Sequence, residues 1–286
     1  MPRLLIAGCG YLGQAVADLF LDDRWEVEAW TLSAETAQML SGKNYPVHAV
    51  DISSAKEVAA RSGQFDVVLH CASTRGGDAA AYRRVYLDGA RNLSTAFTRA
   101  RLLFMSSTSV YAQTAGEWVN EESAAEPRAE TGKILREAEE SVLSNEGTVA
   151  RLGGIYGPGR SALLTRFLNG SATLDPSSDR FVNEIHRDDA AAAAKVLTGH
   201  NGSIRQIYNV VDNEPMLLSE CYGWLATKVK RPVPGQTQPA ASRKRGESNK
   251  RVSNAKLRAL GWAPRFPNFA SGMEKSVLQN TAHRLA

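Results

Sequence analysis

Short apolar runs alternate with amphipathic stretches through the first half of the chain. Leu4 to Ala7 is a compact apolar run that ends at glycines, and Tyr11 to Phe20 follows with helical spacing at Leu12, Val16, Leu19 and Phe20. Glu26 to Trp30 reads as a second strand, Ala34 to Leu40 as a helix and Pro46 to Val50 as a third strand. Asp66 to Cys71 is apolar enough, at Val67, Val68 and Leu69, for a strand buried on both faces. A long helix is expected over about Ala80 to Arg99, a fifth strand over Leu102 to Met105, a helix over Leu135 to Leu143 and a sixth strand over Val149 to Leu152. Such alternation predicts βαβ crossovers, and so an α/β fold with a doubly wound parallel sheet of Rossmann type.

The second half is less regular. Gly153 to Gly159 is loop-rich, Phe181 to Ile185 has the pattern of a short strand, Ala190 to Leu197 of a helix and Gln206 to Val211 of a late strand. Pro232 to Gly246 carries three prolines and two glycines among polar residues, which predicts a mobile loop. Asn254 to Leu260 and Ser271 to Thr281 read as closing helices. The expected organisation is a dinucleotide domain over 1–155, with 185–212 returning to it. A small C-terminal substrate lobe is expected from 156–184 and 213–286.

Composition narrows the class without naming it. The 286 residues are 43% hydrophobic and 22% charged, an ordinary globular balance. A net charge of +4 is too mild to argue for nucleic acid, and the basic run Arg243 to Arg251 has no nucleic-acid motif beside it. No apolar stretch approaches the roughly 20 residues of a membrane span. Cys9, Cys71 and Cys221 are odd in number and far apart, which fits neither a disulfide framework nor a metal site. The expected location is a reducing cytoplasm.

The strongest chemical signal is Gly8-Cys9-Gly10-Tyr11-Leu12-Gly13, a G-x-G-x-x-G loop that follows the first strand and opens the first helix. In that position Gly8 permits the tight turn, Gly10 lets the backbone approach a pyrophosphate, and Gly13 permits close helix–strand packing. The helix N-terminus then offers free N–H groups to the phosphates. Cys9 is placed beside that phosphate pocket. An acidic residue is expected at the end of the second strand to hold the ribose hydroxyls, yet Thr31 stands there. A neutral residue removes the charge that would repel a 2′-phosphate, while no arginine follows to bind one. The cofactor is therefore expected to be NADP or NAD, with a slight lean to NADP.

Further motifs recur in order. Val50-Asp51-Ile52 resembles the adenine-contacting turn of extended short-chain dehydrogenase/reductases. Asp66-Val67-Val68-Leu69-His70-Cys71-Ala72 looks like their fourth-strand motif, and Gly89-Ala90-Arg91-Asn92-Leu93 like their helix motif. Phe104 to Tyr111, Arg151 to Gly159, Ile185 to Asp189, Tyr208 to Val210 and Leu260 to Trp262 continue the pattern. The match spans nearly the whole chain. It is similar to the NAD-dependent epimerase/dehydratases, and most of all to their atypical, YeeZ-like branch.

The resemblance implies that Asp51, Ile52, Cys71, Ala72, Ser73 and Ser106 line the cofactor. It places Ser107 at the Ser/Thr that hydrogen-bonds the substrate oxygen. Thr108, Tyr156, Arg160, Asn183 and His186 are its substrate-side candidates. Arg160 and Arg187 favour a ligand bearing phosphate or carboxylate. The family's Tyr-x-x-x-Lys pair transfers the proton, but no tyrosine lies between Tyr111 and Tyr156. One register puts Thr131 and Leu135 at the pair; sliding by two puts Ala129 and Lys133 there. A threonine hydroxyl is too weak an acid to replace a phenol, so Tyr111, Lys133, Tyr156, Glu130 and His186 become the candidates. Tyr86 stands where the family usually has an asparagine, a second departure at the centre. The reading is an oxidoreductase-like enzyme of unknown small carbonyl or sugar-like substrate, or else a non-catalytic NAD(P)-binding redox sensor. The resemblance also suggests a homodimer through helices including Leu135 to Leu143, although Arg136, Glu137, Glu139 and Glu140 make that stretch highly charged.

Overall fold

Alternation along each buried strand decides which face of the sheet a side chain joins. Leu4 and Ile6 pack into one apolar core with Val67, Leu69, Leu103 and Met105. Leu5 and Ala7 enter the opposite core with Val68, Leu102 and Phe104. Both faces are thus covered, as an all-parallel sheet requires. Each fully buried leucine or isoleucine there contributes about 1.5–3 kcal/mol of hydrophobic stabilisation.

The computed structural model describes residues 1–74, 76–175, 179–199, 203–235 and 248–279. In chain order the first half runs β1 (Arg3–Ala7), α1 (Tyr11–Asp22), β2 (Glu26–Thr31), α2 (Ala34–Met39), β3 (Val47–Ala49), α3 (Ala55–Ala60) and β4 (Val67–His70). Next come α4 (Ala79–Tyr82), a π-helical turn over Arg83–Asp88, α5 (Gly89–Ala96) and β5 (Arg101–Ser107). A 3₁₀ turn at Thr108–Val110 leads to β6 (Glu117–Val119), α6 (Glu130–Ser144) and β7 (Thr148–Leu152). The second half holds β8 (Gly154–Tyr156), α7 (Ala162–Leu168), β9 (Phe181–Val182), β10 (Glu184–His186), α8 (Arg187–Gly199), β11 (Ile207–Val210), β12 (Met216–Leu217), α9 (Leu218–Val229), β13 (Lys250–Val252), α10 (Ala255–Arg258) and α11 (Phe269–Gly272).

Seven strands form the central sheet in the order β11-β7-β5-β4-β1-β2-β3, and every neighbouring pair is parallel. The chain winds outward from β1 to β3, returns to lay β4 on the other side of β1, and winds outward again. The order therefore reverses between β1 and β4, and ligands of such sheets bind in the crevice at the carboxyl ends flanking that reversal. A third apolar cluster joins Tyr156, Leu163, Leu164 and Phe167 to Cys221, Tyr222 and Leu225 of α9 and to Phe269, Met273 and Val277. It is the core of the smaller lobe.

Several elements differ from the pattern read along the chain. The strand expected over Phe181 to Ile185 is two strands: β9 pairs antiparallel with β12, and β10 pairs parallel with β8. Between them the Asn183 backbone carbonyl accepts the Gly154 N–H at 2.8 Å. The helix expected from Leu135 begins at Glu130, where Pro127 packs so close to Gly132 that a Cβ there would lie 2.5 Å from the proline ring. The long helix expected to Arg99 ends at Ala96 and contains the π turn. Helix α9, buried at Cys221, Tyr222 and Leu225, has no counterpart in the expected elements. Of the expected mobile loop, residues 236–246 lie outside the described residues, as do 280–281 of the last expected helix.

Candidate functional site

The glycine loop is built as its spacing requires. Gly8 has φ +115°, and a Cβ on it would lie 2.2 Å from the Ala72 backbone nitrogen, so only glycine permits β1 and the segment after β4 to approach there. A Cβ on Gly13 would lie 2.4 Å from the Gly8 carbonyl oxygen. Gly10 is different: a Cβ there would meet nothing within 4 Å. Gly10 is also the N-cap of α1 and brings no side-chain cap. A helix start with uncapped N–H groups facing open space is the cradle a pyrophosphate needs. The loop therefore fits a dinucleotide.

Not every loop side chain faces that space. Cys9 is buried with its thiol 3.6 Å from the Tyr45 hydroxyl, and burial pushes its pKa up. The placement of its side chain beside the phosphates is corrected accordingly, because the thiol points into the core. Leu12 is buried in that core too. Tyr11 reaches across to the lobe: its hydroxyl donates to the Pro158 carbonyl at 3.0 Å, and the Arg160 and Arg187 guanidiniums lie 5.2 and 5.0 Å from its ring centroid. Arg160 thus stacks on the tyrosine of the glycine loop while staying exposed. Cys71 is half-buried and its thiol donates to the Gly8 carbonyl at 3.0 Å, while Ser73 beyond it is exposed.

At the adenosine end, Thr31 closes β2 half-buried, and the nearby acid Glu28 accepts from the Trp30 indole N–H at 2.8 Å. Asp51 accepts from both the backbone N–H and the hydroxyl of Ser53 at 2.9 and 2.7 Å, which fixes the turn after β3. Ile52 is buried against Gly89, whose Cβ would lie 2.8 Å from it.

The carboxyl end of β5 departs furthest from the sequence reading. Ser107 ends β5 half-buried, and its Oγ accepts the Ser109 N–H at 3.1 Å. Ser106 points the other way, buried, and donates to Glu139 at 2.6 Å, so it supports the helix behind the sheet and does not face the cofactor. Thr108 is buried in the 3₁₀ turn. That turn swings Tyr111 inward: it is 0% exposed, its hydroxyl donates to Asn209 at 3.0 Å, and Arg151 lies 4.8 Å over its ring. Burial raises its pKa, and it faces no cleft. Lys133 fails for the opposite reason, with a 61% exposed side chain 3.8 Å from Glu130.

Three substrate-side candidates are structural in the same way. Tyr156 is buried over Gly272, with its hydroxyl donating to the Asn268 carbonyl at 3.4 Å. Asn183 accepts the Val252 N–H at 2.7 Å and donates to the Lys250 carbonyl at 3.0 Å, which pins β13. His186 is buried, with Nδ1 accepting the Asp188 N–H at 3.2 Å and Nε2 3.0 Å from the Ser276 hydroxyl. Burial holds its pKa down at about 4, so the ring is neutral. Tyr86 sits on the π turn, half-buried, its ring stacked 6.5 Å from that of His70.

One charged group past the end of β7 was not singled out from the sequence. Glu184 pairs with Gly154 across β10 and β8, and its carboxyl lies over that glycine: a Cβ on Gly154 would meet Oε1 at 2.7 Å and Oε2 at 3.0 Å. Burial pushes its pKa up to about 8 against the pull of Arg180 and Arg166. Its signal in the sequence was a lone acid inside the apolar run Phe181 to Ile185.

A doubly wound parallel sheet with this glycine loop at its switch point defines a dinucleotide-binding protein of Rossmann type. More particularly, the chain belongs to the NAD-dependent epimerase/dehydratase family, whose family model matches residues 4–210. A structure from Methylobacillus flagellatus, described as an NAD-dependent epimerase/dehydratase, is similar at 28% identity, with 99% of each chain covered and a TM-score of 0.78. The UDP-glucose 4-epimerase of Thermus thermophilus, solved with NAD, shares the fold at 21% identity and a TM-score of 0.83, covering 98% of this chain and 99% of that one. The UDP-glucose 4-epimerase of Thermotoga maritima, solved with UDP-glucose, does so at 15% identity and 0.85, covering 99% and 100%. Among curated proteins, none matches the chain.

Proposed function

We propose that the protein is an NAD(P)-binding epimerase/dehydratase-like oxidoreductase that acts on a small carbonyl or sugar-like substrate without the Tyr-x-x-x-Lys pair. The observation that carries the reading is the open cradle at Gly10, flanked by Gly8 and Gly13 positions that admit no side chain. When bound, a nicotinamide dinucleotide supplies hydride chemistry. The chain's own residues do the rest. Backbone N–H groups at the start of α1 hold the phosphates, and the turn at Asp51 with Ile52 closes the adenine end. The Ser107 hydroxyl, at the carboxyl end of β5, orients a substrate oxygen. The neutral Thr31 and the engaged Glu28 support a slight preference for NADP over NAD.

A second reading is favoured by a specific observation. Tyr111 and Tyr156 are buried, Lys133 is exposed on the outer face of α6, and His186 is held neutral in the core. None of these is placed to exchange a proton with a ligand, as a non-catalytic redox sensor would allow.

One experiment separates the readings. Purified protein is titrated with NAD, NADH, NADP and NADPH, then scanned against aldehydes, ketones and nucleotide sugars at the nicotinamide absorbance band. Turnover that disappears in Ser107→Ala supports the enzyme. Tight cofactor binding with no turnover across the panel supports the sensor, and failure to bind any dinucleotide sinks both.

A further inference from the structure

With the tyrosine missing and its substitutes buried or remote, a proton still has to be exchanged if the cleft reacts. The carboxyl ends of β5 and β7 are adjacent: Ser107 pairs with Leu152, and Gly154 lies two residues beyond Leu152. Glu184 projects over the exposed Gly154, two residues past the β7 position that pairs with Ser107. We infer that Glu184 is the proton-exchanging group of this cleft, taking up and returning the hydroxyl proton of a substrate held by Ser107. The inference rests on the reading that the cleft binds a nicotinamide dinucleotide and a substrate.

The geometry assigns the role to Glu184 and to no neighbour. Glycine at 154 is what makes room, since any side chain there would occupy the position of the carboxyl. Glu184 is partly accessible, whereas Tyr111, Tyr156 and His186 are closed off. The charged and titratable groups acting around it are Arg166 of α7, Arg180 before β9, Tyr156 of β8, Asp212 after β11 and Cys221 of α9. Burial disfavours the carboxylate and the two arginines favour it; the balance sits near neutrality, at about 8. A general acid–base is most effective when its pKa lies near the working pH, because both forms are then populated. In the step itself the substrate O–H bond breaks, a carboxyl O–H bond forms on Glu184, and the electron pair stays on the substrate oxygen; the reverse step restores both. Arg166 and Arg180 also line a cavity of about 220 Å³ with Tyr222.

The test is infrared difference spectroscopy of wild-type and Glu184→Gln protein, titrated in the presence of NAD from about pH 6 to about pH 10. The wild type is expected to show a protonated-carboxyl band that disappears with a midpoint near 8 and is missing from the variant. For any compound of the panel that turns over, Glu184→Gln should lower kcat about 100-fold or more, with NAD affinity unchanged and activity partly restored by Glu184→Asp. Unchanged NAD affinity also verifies that the variant is folded. The assignment is overturned if the wild-type spectrum has no Glu184 band above about pH 6, or if Glu184→Gln turns over as fast as the wild type. Loss of dinucleotide binding in the wild type would instead overturn the reading on which it rests.

Discussion

Arg151 of β7 and Glu139 of α6 form a buried ion pair between the sheet and the helix, with the guanidinium Nη2 2.7 Å and Nε 3.0 Å from the two carboxylate oxygens. Their side chains are 1% and 0% exposed. Ser106 donates to the same carboxylate and Arg136 pairs with it, so β5, β7 and α6 are tied at one point. Arg151 in turn lies over the Tyr111 ring, and Tyr111 donates to Asn209 of β11. A carboxylate with this many donors is an anchor for the helix that stands beside Ser107.

Removing Glu139 leaves the Arg151 charge buried without a carboxylate, whereas removing Arg151 leaves Glu139 with Arg136 and Ser106. Glu139→Ala should cost about 3–5 kcal/mol and Arg151→Ala less, read as shifts in urea midpoint. The double variant Glu139→Leu/Arg151→Met should lose less than Glu139→Ala, because the Arg151 charge is no longer stranded. A double variant that loses the sum of the two single costs would show that the pair is not coupled.

The glycine loop offers a cleaner separation of folding from binding. Gly8→Ala forces a Cβ against the Ala72 backbone at a positive φ, so it should lower the melting temperature as well as abolish dinucleotide binding. Gly10→Ala meets no protein atom and should leave the melting temperature unchanged, while weakening NAD and NADP binding by about tenfold or more through lost backbone approach. Equal dinucleotide affinity in Gly10→Ala and wild type would remove the loop from the cofactor site.

Much of this was legible in the sequence because motif and period both report backbone. The runs at Leu4 and Val67 and the glycines at 8, 10 and 13 fix strands, switch point and cradle, each through a property of the main chain. Side-chain direction was not legible. Tyr111 follows a serine-rich turn, and only the 3₁₀ turn at Thr108–Val110 reveals that it swings under Arg151. Ser106 and Ser107 differ by one position, which in a strand sends one to α6 and the other to the lip. Glu184 was hidden because a single apolar run turned out to be two strands with different partners.

Asn183, at the break between those strands, is the hinge pin of the lobe edge. Its side chain makes a hydrogen bond in each direction to β13, and Asn183→Ala should cost about 1–3 kcal/mol by stranding the Val252 N–H and the Lys250 carbonyl. Hydrogen exchange should read the loss as faster exchange at Val252, with the Ile6 and Leu69 amides of the central sheet unaffected. Uniform acceleration across the sheet would mean that the lobe edge and the sheet open as one unit.

His70 makes acid the direction in which the fold weakens. It is fully buried, its Nε2 lies 3.1 Å from the Val85 carbonyl, and Nδ1 has no partner among the described residues. Burial lowers its pKa to about 4, below the roughly 6.5 of an unfolded histidine. The unfolded chain therefore binds the proton first. The stability contributed by the neutral ring is complete above about pH 6.5 and is lost as pH falls toward the folded pKa, by on the order of 3 kcal/mol. His70→Leu fills a similar space without a titrating group. Urea midpoints measured between about pH 7 and about pH 4 should fall less steeply in His70→Leu than in the wild type, the difference approaching one proton's worth of slope. Parallel slopes would place the acid sensitivity elsewhere, with His186, whose pKa is lowered in the same direction, the next residue to replace.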